Sequence, residues 1–321
     1  MSVTKLARRK LLKSGLGVSA AACIGGRSAL ASAFPSHPIS LIVPEGPGGT
    51  FDAYGREFAK VLTQQMGVNV EPINVEGGGG ATAIFQLFST KPDGYTISLI
   101  NIPGLLTRKI PGNFNLDKLT WLANVGRNSE GLVVGAKSPI NSVADMQQLA
   151  ATRPISFAMG GLGSSSYVAT KVFAGATDIS VKVVTGYKSS INSLLAVARG
   201  DVDAAIHPLS TIASMKDTSL IKLIVTFENK SSVPGVPSAI DIGQPDLVNV
   251  IQWQPVVAPP GMDPAIATAL SQALMTAAAS PDVAKWAAQI GTTPFALDQT
   301  GTLSMLDAQK SMLKRFNLLP T

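Results

Sequence analysis

Short apolar runs alternate with amphipathic segments along the chain after residue 33. The run ISLIVP (39–44) is typical of a buried strand, and the segment that follows it, DAYGREFAKVLTQQMG, places Tyr54, Phe58 and Leu62 near helical spacing. The same order recurs in ISFAMGG, SSSYVATKVFAGAT, SVKVVTGY and INSLLAVARG. Strands that alternate with helices favour parallel sheets covered by helices on both faces. The sequence therefore predicts an α/β fold.

This alternation falls into two groups of similar size. It restarts near Val125–Glu130, and the last helical patterns, at 264–279, 281–290 and 299–316, are expected to return to the first group. The predicted division is residues 34–128 plus 251–321 for one group and residues 129–250 for the other. Segments near Val125–Glu130 and Val250–Val256 are expected to connect the two.

Residues 1–33 have the pattern of a secretory signal peptide. A basic start with the pair Arg8-Arg9 precedes the apolar stretch 16–24, and ALASAF (29–34) offers small residues at cleavage spacing. The arginine pair indicates a twin-arginine signal, with the general secretory route left open. A membrane anchor is the alternative, but a spanning helix needs roughly 20 apolar residues. We expect export to the periplasm.

Charge and cysteine content exclude several classes of partner. The chain has 26 Lys and Arg, of which six lie in residues 1–33, so 20 remain against the 20 Asp and Glu, none of which lies there. This balance argues against a nucleic-acid partner. Cys23 is the one cysteine, so the exported part has no thiol for a disulfide, a thiolate metal site or a nucleophile. No metal and no cofactor are predicted.

A glycine-rich loop, PEGPGGTFD (44–52), follows the first predicted strand. Gly48 and Gly49 let the backbone approach a ligand closely. The helix that is expected to begin near Phe51–Asp52 offers N–H groups to an anion. Ligands of open α/β sheets bind at this edge, beyond the carboxyl ends of the strands. A plain tight connection between a strand and a helix accounts for the same residues equally well.

A second loop, GLGSSS (161–166), places hydroxyl groups at the start of another predicted helix. Gly163 makes the loop flexible, and Ser164, Ser165 and Ser166 can donate hydrogen bonds to a carboxylate. One of these serines is expected to cap the helix instead.

Six stretches, in order, resemble the substrate-binding proteins of tripartite tricarboxylate transporters, the Bug-type periplasmic solute receptors. They are HPISLIVPEGPGGTFDAYGREFAKVLTQQMG, NVEGGGGATA, KPDGYTISL, FAMGGLGSSSYVA, VTGYKSSINSLLAVARGDVDAAIHPLS and VVAPPGMDP, and the resemblance as a whole covers residues 37–316. The resemblance implies a two-lobed periplasmic binding protein, each lobe a mainly parallel sheet flanked by helices, with the ligand cleft between lobe 1 (34–128 plus 251–321) and lobe 2 (129–250). It implies a monomer that captures a small organic acid and delivers it to a tripartite tricarboxylate-type membrane permease, without catalysis.

The family's ligand-binding loop is matched by the first glycine-rich loop. By resemblance, Gly48, Gly49 and Thr50 would hold waters that bridge to a ligand carboxylate, and Asp52 stands at the family's Asp position. Capping of the helix needs the same type of residue at position 52, so this alternative stays open.

Other matched positions depart from the family pattern. Tyr187 and Lys188 match a Tyr-Lys-Gly motif, but Ser189 replaces its glycine. His207 stands where many relatives have Asp, and Glu45 stands where an aromatic residue is common. A carboxylate at position 45 would repel an anionic ligand unless that ligand also carries an amine, amide or hydroxyl group. His207 is predicted to donate to a ligand oxygen, or else to be a hydrogen-bonded structural residue.

An enzyme is the rival class. The exported part has only His37 and His207, with no cysteine, no Gly-x-Ser-x-Gly elbow and no phosphate-binding loop. A hydrolase that depends on carboxylates alone is the remaining enzymatic alternative. A ligand-sensing module for a membrane signalling partner would use the same pocket, and the sequence does not separate it from a transport receptor.

Overall fold

The fold is organised around a mixed β-sheet whose strands come from many parts of the chain. A computed structural model describes residues 34–109, 114–215 and 217–320, so the predicted signal peptide lies outside the described residues. The strands are, in chain order, β1 Ile39–Val43, β2 Val70–Asn74, β3 Thr96–Leu99, β4 Thr120–Gly135, β5 Ile155–Ala158, β6 Val181–Val184, β7 Ala204–Pro208, β8 Ile221–Thr226, β9 Ile251–Ala258 and β10 Thr293–Leu297. The α-helices are α1 Thr50–Met66, α2 Ala81–Phe88, α3 Val143–Ala150, α4 Ser165–Thr177, α5 Ser190–Arg199, α6 Leu209–Ala213, α7 Pro264–Ala278, α8 Pro281–Ile290 and α9 Gln299–Arg315.

Parallel strand pairs form the two ends of the sheet. Strand β1 pairs in parallel with β2 and β3, and β5 pairs in parallel with β6 and β7. The order across the sheet is β2-β1-β3-β9-β4-β7-β5-β6, with β8 and β10 also paired to β4. Helices form the crossover connections between the parallel strands, as the alternating sequence pattern requires. The predicted α/β class is confirmed.

The central strand β4 differs from the sequence expectation. The sequence pattern gives two extended runs, whereas the structure forms one strand of 16 residues. Its first part pairs antiparallel with β9, and the residues from Glu130 onwards pair antiparallel with β7 and β8. The polar residues Arg127 and Asn128 interrupt the apolar pattern, but the hydrogen-bond ladder continues because the strand changes neighbours there. Strands β4 and β9 therefore connect the two parallel ends of the sheet.

Serine side chains cap two helices, and one of them, Ser164, is among the serines expected to do so. Ser142 accepts a hydrogen bond from the Asp145 N–H at 3.1 Å and caps α3, and Ser164 accepts one from the Tyr167 N–H at 3.1 Å and caps α4. Helix α1 begins at Thr50, slightly earlier than expected, and its cap residue Gly49 has no side chain to offer. The N–H groups at the start of α1 must therefore find acceptors elsewhere.

Large apolar side chains pack on the sheet. Tyr54 and Phe58 of α1 are fully buried, as are Phe157, Phe173 and Phe227. The Phe173 ring centroid lies 6.1 Å from that of Phe157 and 6.2 Å from that of Phe227. Burial of each ring contributes about 2–3 kcal/mol. This packing joins helices α1 and α4 to the strands of the sheet.

From residue 35 onwards the chain forms one compact unit, so its division into the two lobes given above stays a prediction. Within the described ranges, no helix is both long and apolar enough to cross a lipid bilayer. Among the same residues, no three His, Cys, Asp or Glu side chains gather where a metal ion would bind.

Candidate ligand-binding site

A cavity of about 410 Å³ lies at the carboxyl edge of the sheet. The loops that follow β1, β2, β3, β5 and β6 all contribute to its wall. This is the edge at which open α/β sheets bind their ligands. The cavity is lined by these residues of the sequence-predicted site: Glu45, Ser164, Ser165, Ser166, Tyr187, Lys188, Ser189 and His207.

The Glu45 carboxylate lies between the N-terminal ends of two helices. Its Oε1 accepts hydrogen bonds from the Ser190 N–H at 3.0 Å and from the Ser190 hydroxyl at 2.7 Å, and its Oε2 accepts one from the Phe51 N–H at 3.2 Å. Ser190 is the first residue of α5, and Phe51 lies in the first turn of α1. Burial raises the pKa of Glu45, while the hydrogen bonds from Ser190 and Phe51 oppose that rise. The carboxylate supplies an acceptor that the uncapped start of α1 lacks.

Gly49 provides the space that this carboxylate occupies. A Cβ placed on Gly49 would overlap the Glu45 carboxyl group. The φ angle of Gly49 is −95°, which other residues also adopt, so backbone freedom is not the reason for glycine here. The sequence suggests that a ligand approaches the backbone of this loop closely. In the structure, the Glu45 side chain makes that close approach.

Other members of the first loop face a second cavity of about 620 Å³. Gly48, Gly49, Thr50 and Asp52 line this second cavity rather than the first. The Thr50 hydroxyl is hydrogen-bonded to the hydroxyl of Thr211, which follows β7. The structure thus divides the predicted loop residues between two spaces, with Glu45 and Phe51 on the side of the first cavity.

Asp52 lies in a hydrogen-bonded network within its own loop. Its Oδ2 accepts from the Gly48 N–H at 3.0 Å and from Arg56 Nε at 3.1 Å, and its Oδ1 accepts from Asn74 Nδ2 at 2.9 Å. Burial by itself would raise the pKa of Asp52, but the hydrogen bonds from Arg56, Gly48 and Asn74 outweigh it and lower the pKa. Asp52 is not the cap residue of α1, and its contacts shape the loop.

The three serines at the start of α4 have different partners. Ser164 caps the helix, and its hydroxyl also lies 3.0 Å from that of Ser166. The Ser165 hydroxyl donates to Asn101 Oδ1 at 2.7 Å and accepts from Gln252 Nε2 at 3.1 Å. The preceding Gly163 is buried and outside the cavity wall, with its carbonyl directed to Asn101 Nδ2 at 3.2 Å.

Asn101 is a site residue that the sequence analysis missed. Its Nδ2 donates to the Gly79 carbonyl at 2.8 Å as well as to Gly163, so it connects the Gly77–Gly80 turn to the loop before α4. Asn101 and Gln252 are each only 4% exposed and both line the cavity. Asn101 follows directly after the strand pattern TISLI, at the sheet edge where ligands bind, and this position could have identified it as a site residue.

The Gly77–Gly80 turn forms the part of the cavity wall next to the loop that precedes α4. All four of its glycines have positive φ angles, between 57° and 117°, a backbone conformation that other residues rarely adopt. A Cβ on Gly79 would also come within 2.6 Å of the Gly163 backbone. The turn leads directly into α2, whose first N–H group, that of Ala81, donates to the Gly78 carbonyl.

The loop before α5 supplies Tyr187, Lys188 and Ser189. Ser189 caps α5 by accepting from the Asn192 N–H at 3.4 Å. Lys188 Nζ lies 3.8 Å from Glu76 Oε2, with 78% of the lysine side chain exposed, so this ion pair adds little stability. The Lys188 carbonyl accepts from the Gly46 N–H at 3.4 Å, which joins this loop to the one after β1.

His207 is the most enclosed ionisable group of the cavity wall. It is 3% exposed, and its Nε2 has no hydrogen-bond partner among the described residues. Burial lowers the pKa of His207 to about 4, so the ring is neutral at pH 7. His207 therefore adds no positive charge to the cavity and keeps one ring nitrogen for a further partner.

Comparisons with known proteins identify the family. A family model described as the tripartite tricarboxylate transporter family receptor matches residues 55–317. Protein BugT of Bordetella pertussis is 29% identical over 274 residues, which cover 82% of this chain and 83% of BugT. The solved periplasmic binding protein BugD has a TM-score of 0.80 at 20% identity, and R. palustris Rpa4515 with adipate has 0.80 at 23%; each comparison covers 90% of this chain and 100% of the other. These likenesses confirm the predicted periplasmic-binding-protein fold, and the match to the family model shows that the chain belongs to the tripartite tricarboxylate transporter receptor family.

Proposed function

We propose that this protein is an exported receptor that captures a small carboxylate-containing ligand and delivers it to a tripartite tricarboxylate-type membrane permease. The observation that carries the proposal is the 410 Å³ cavity, where hydroxyls and helix N-termini converge at the carboxyl edge of the sheet. Such groups bind anions, because unpaired N–H groups and the helix dipole both favour negative charge. The family membership and the adipate in the solved R. palustris relative support the same ligand class.

The ligand would be enclosed by residues of both predicted lobes. Glu45 and Asn101 fall in the predicted lobe 1, whereas their hydrogen-bond partners Ser190 and Ser165 fall in the predicted lobe 2. Opening of the cleft would break these hydrogen bonds, and β4 and β9, which extend through both parts of the sheet, would act as the hinge. Hinged closure around a ligand is common among periplasmic binding proteins.

We propose binding without chemical conversion of the ligand. The residues that line the cavity offer hydrogen-bond donors, but His207 is neutral, and its Nε2 has no carboxylate or hydroxyl partner in the described part of the chain that would make it part of a catalytic pair. Export through the signal peptide at 1–33, a monomeric state and the permease partner complete the proposal. The residues proposed to face the ligand are Glu45, Ser164, Ser166, Tyr187, Lys188, Ser189 and His207, together with Asn101 and the Gly77–Gly80 turn.

A ligand panel tests this function. Thermal unfolding of the purified protein would be followed with monocarboxylates, dicarboxylates, tricarboxylates, aromatic acids, amino acids and neutral compounds of matched size. We expect one or more carboxylates to raise the melting temperature, since a ligand that binds the folded state stabilises it by mass action. Mass spectrometry of the incubated ligand should find it unchanged. A shift caused only by neutral compounds would contradict the carboxylate assignment, and product formation would contradict the receptor assignment.

A further inference from the structure

We propose that Glu45 is a built-in anion that fills the position of a second ligand carboxylate, so that this receptor selects ligands with one carboxylate and a cation or hydrogen-bond donor at the other end. This inference rests on the proposed function, because it names the ligand class of the same cavity. It starts from the three hydrogen bonds that the first residues of α1 and α5 donate to the Glu45 carboxylate.

The position of Glu45 has the chemistry of an anion-binding subsite. Helices α1 and α5 have 17 and 10 residues, so both present a substantial dipole to the carboxylate. A carboxylate has about four acceptor positions, of which three are used by Ser190 and Phe51. The remaining position on Oε2 can accept from a ligand, and it cannot bind a second anion.

The charges around the cavity argue against a doubly negative ligand. The charged residues that line it are Glu45, Glu76 and Lys188, and the last two lie 3.8 Å apart as an ion pair. His207 adds no charge, and its unpartnered Nε2, on a side chain that is 3% exposed, is an independent sign of a missing polar partner in the same cavity. Because three groups donate hydrogen bonds to Glu45, they favour its ionised form, and the lining then carries a net negative charge that suits an ammonium or amide group better than another carboxylate.

Other groups of the cavity wall remain as donors for a ligand carboxylate. The Ser164 hydroxyl already donates to the Gly161 carbonyl at 2.8 Å, but the Ser166 hydroxyl stands at the N-terminus of α4, whose first N–H groups have no partner within the helix. One carboxylate can be bound there while the other end of the ligand reaches Glu45. A cavity of about 410 Å³ is large enough for a short linear molecule in this orientation.

An acetate experiment tests Glu45 without any knowledge of the natural ligand. In Glu45→Ala the space over Gly49 is empty and the N–H groups of Phe51 and Ser190 are free. Sodium acetate at tens of millimolar should then raise the melting temperature of Glu45→Ala by roughly 2–4 °C. The reference measurement is the same variant with sodium chloride and acetamide in place of sodium acetate. The wild type and Glu45→Gln, in which the site stays filled, should show a clearly smaller shift.

The double variant Glu45→Ala, Gly49→Ala is the matched control, since a Cβ at position 49 would occupy the vacated carboxylate position. It should lose the acetate effect. An equal acetate shift in the wild type and in Glu45→Ala, or none in either, would overturn the proposal for Glu45 and leave the proposed receptor function untouched.

Ligand selectivity gives a second readout with a variant that preserves the side-chain shape. We expect the wild type to bind 6-aminohexanoate at least tenfold more tightly than adipate, which has the same number of carbons and two carboxylates. Glu45→Gln removes the charge and should shrink or reverse that ratio. An unchanged ratio in Glu45→Gln would overturn the inference, whereas failure of every carboxylate in the wider panel would instead count against the proposed function.

Discussion

Replacement of Ser165 by alanine should destabilise the protein by breaking the hydrogen-bonded chain behind the cavity wall. The hydroxyl donates to Asn101 Oδ1 at 2.7 Å and accepts from Gln252 Nε2 at 3.1 Å, and all three residues are at most 5% exposed. Ser165→Ala changes little volume, so the expected effect comes from the two polar groups that lose their partner.

The magnitude follows from these two groups. A buried polar group that loses its partner costs about 1–3 kcal/mol. Asn101 and Gln252 both line the cavity, where water can approach them, so the low end applies to each. We therefore expect Ser165→Ala to lower the free energy of unfolding by about 2 kcal/mol, which corresponds to a fall in melting temperature of roughly 4–8 °C.

Urea unfolding followed by circular dichroism measures this loss, and Ser166→Ala is the matched control. Ser166 is also buried, but among the described residues its hydroxyl is hydrogen-bonded only to the hydroxyl of Ser164, at 3.0 Å. The neighbour Ser164 keeps its own bond to the Gly161 carbonyl at 2.8 Å. The control should cost less than about 1 kcal/mol. If Ser165→Ala costs no more than Ser166→Ala, the hydrogen-bonded chain does not stabilise the folded state as we infer.

Buried and paired titratable groups determine how stability should vary with pH. Burial raises the pKa of Glu130 from 4.5 to about 8, so between these pH values the folded state keeps a proton that the unfolded state releases. The free energy of unfolding should therefore fall as pH rises from 4.5 to about 8. Urea unfolding of Glu130→Gln at a series of pH values should not show this fall. Burial lowers the pKa of His207 from 6.5 to about 4, so the free energy of unfolding should fall as pH drops across that range. Urea unfolding of His207→Gln over the same pH range should not show this fall. Hydrogen bonds from Arg153 lower the pKa of Asp203 from 3.8 to about 2, so the ionised Asp203 stabilises the folded state above pH 3.8 and loses this effect towards pH 2. The variant Asp203→Asn should therefore be less stable than the wild type at pH 6 and similar to it near pH 2. Equal pH profiles in variant and wild type would contradict each assignment in turn.

The sequence predicts the fold well because the alternation of strands and helices is a local pattern. The caps at Ser142 and Ser164 are also local, since each depends on a hydroxyl three residues before an N–H group. The continuous strand β4 was missed because Arg127 and Asn128 look like an interruption, whereas its pairing depends on β7, β8 and β9 from distant parts of the chain.

The candidate site was only partly predictable, for the same physical reason. Position 45 stood out in the sequence as an unusual carboxylate, but its partner Ser190 is 145 residues away, and no spacing rule brings the two together. Asn101 also escaped prediction, because its three hydrogen-bond partners lie on two different loops. Contacts of this kind depend on tertiary packing, which a single sequence does not display.

The most direct test of the central claim is a calorimetric titration of a variant in which a larger side chain fills part of the cavity. Gly160 lines the cavity and has an ordinary backbone conformation, and the adjacent Gly161 does not line it. The carboxylate that raises the melting temperature most would be titrated into the wild type, Gly160→Leu and Gly161→Leu. We expect Gly160→Leu to weaken binding at least tenfold and Gly161→Leu to leave it close to that of the wild type. Equal affinity in Gly160→Leu and the wild type would show that the ligand binds elsewhere and would contradict the account.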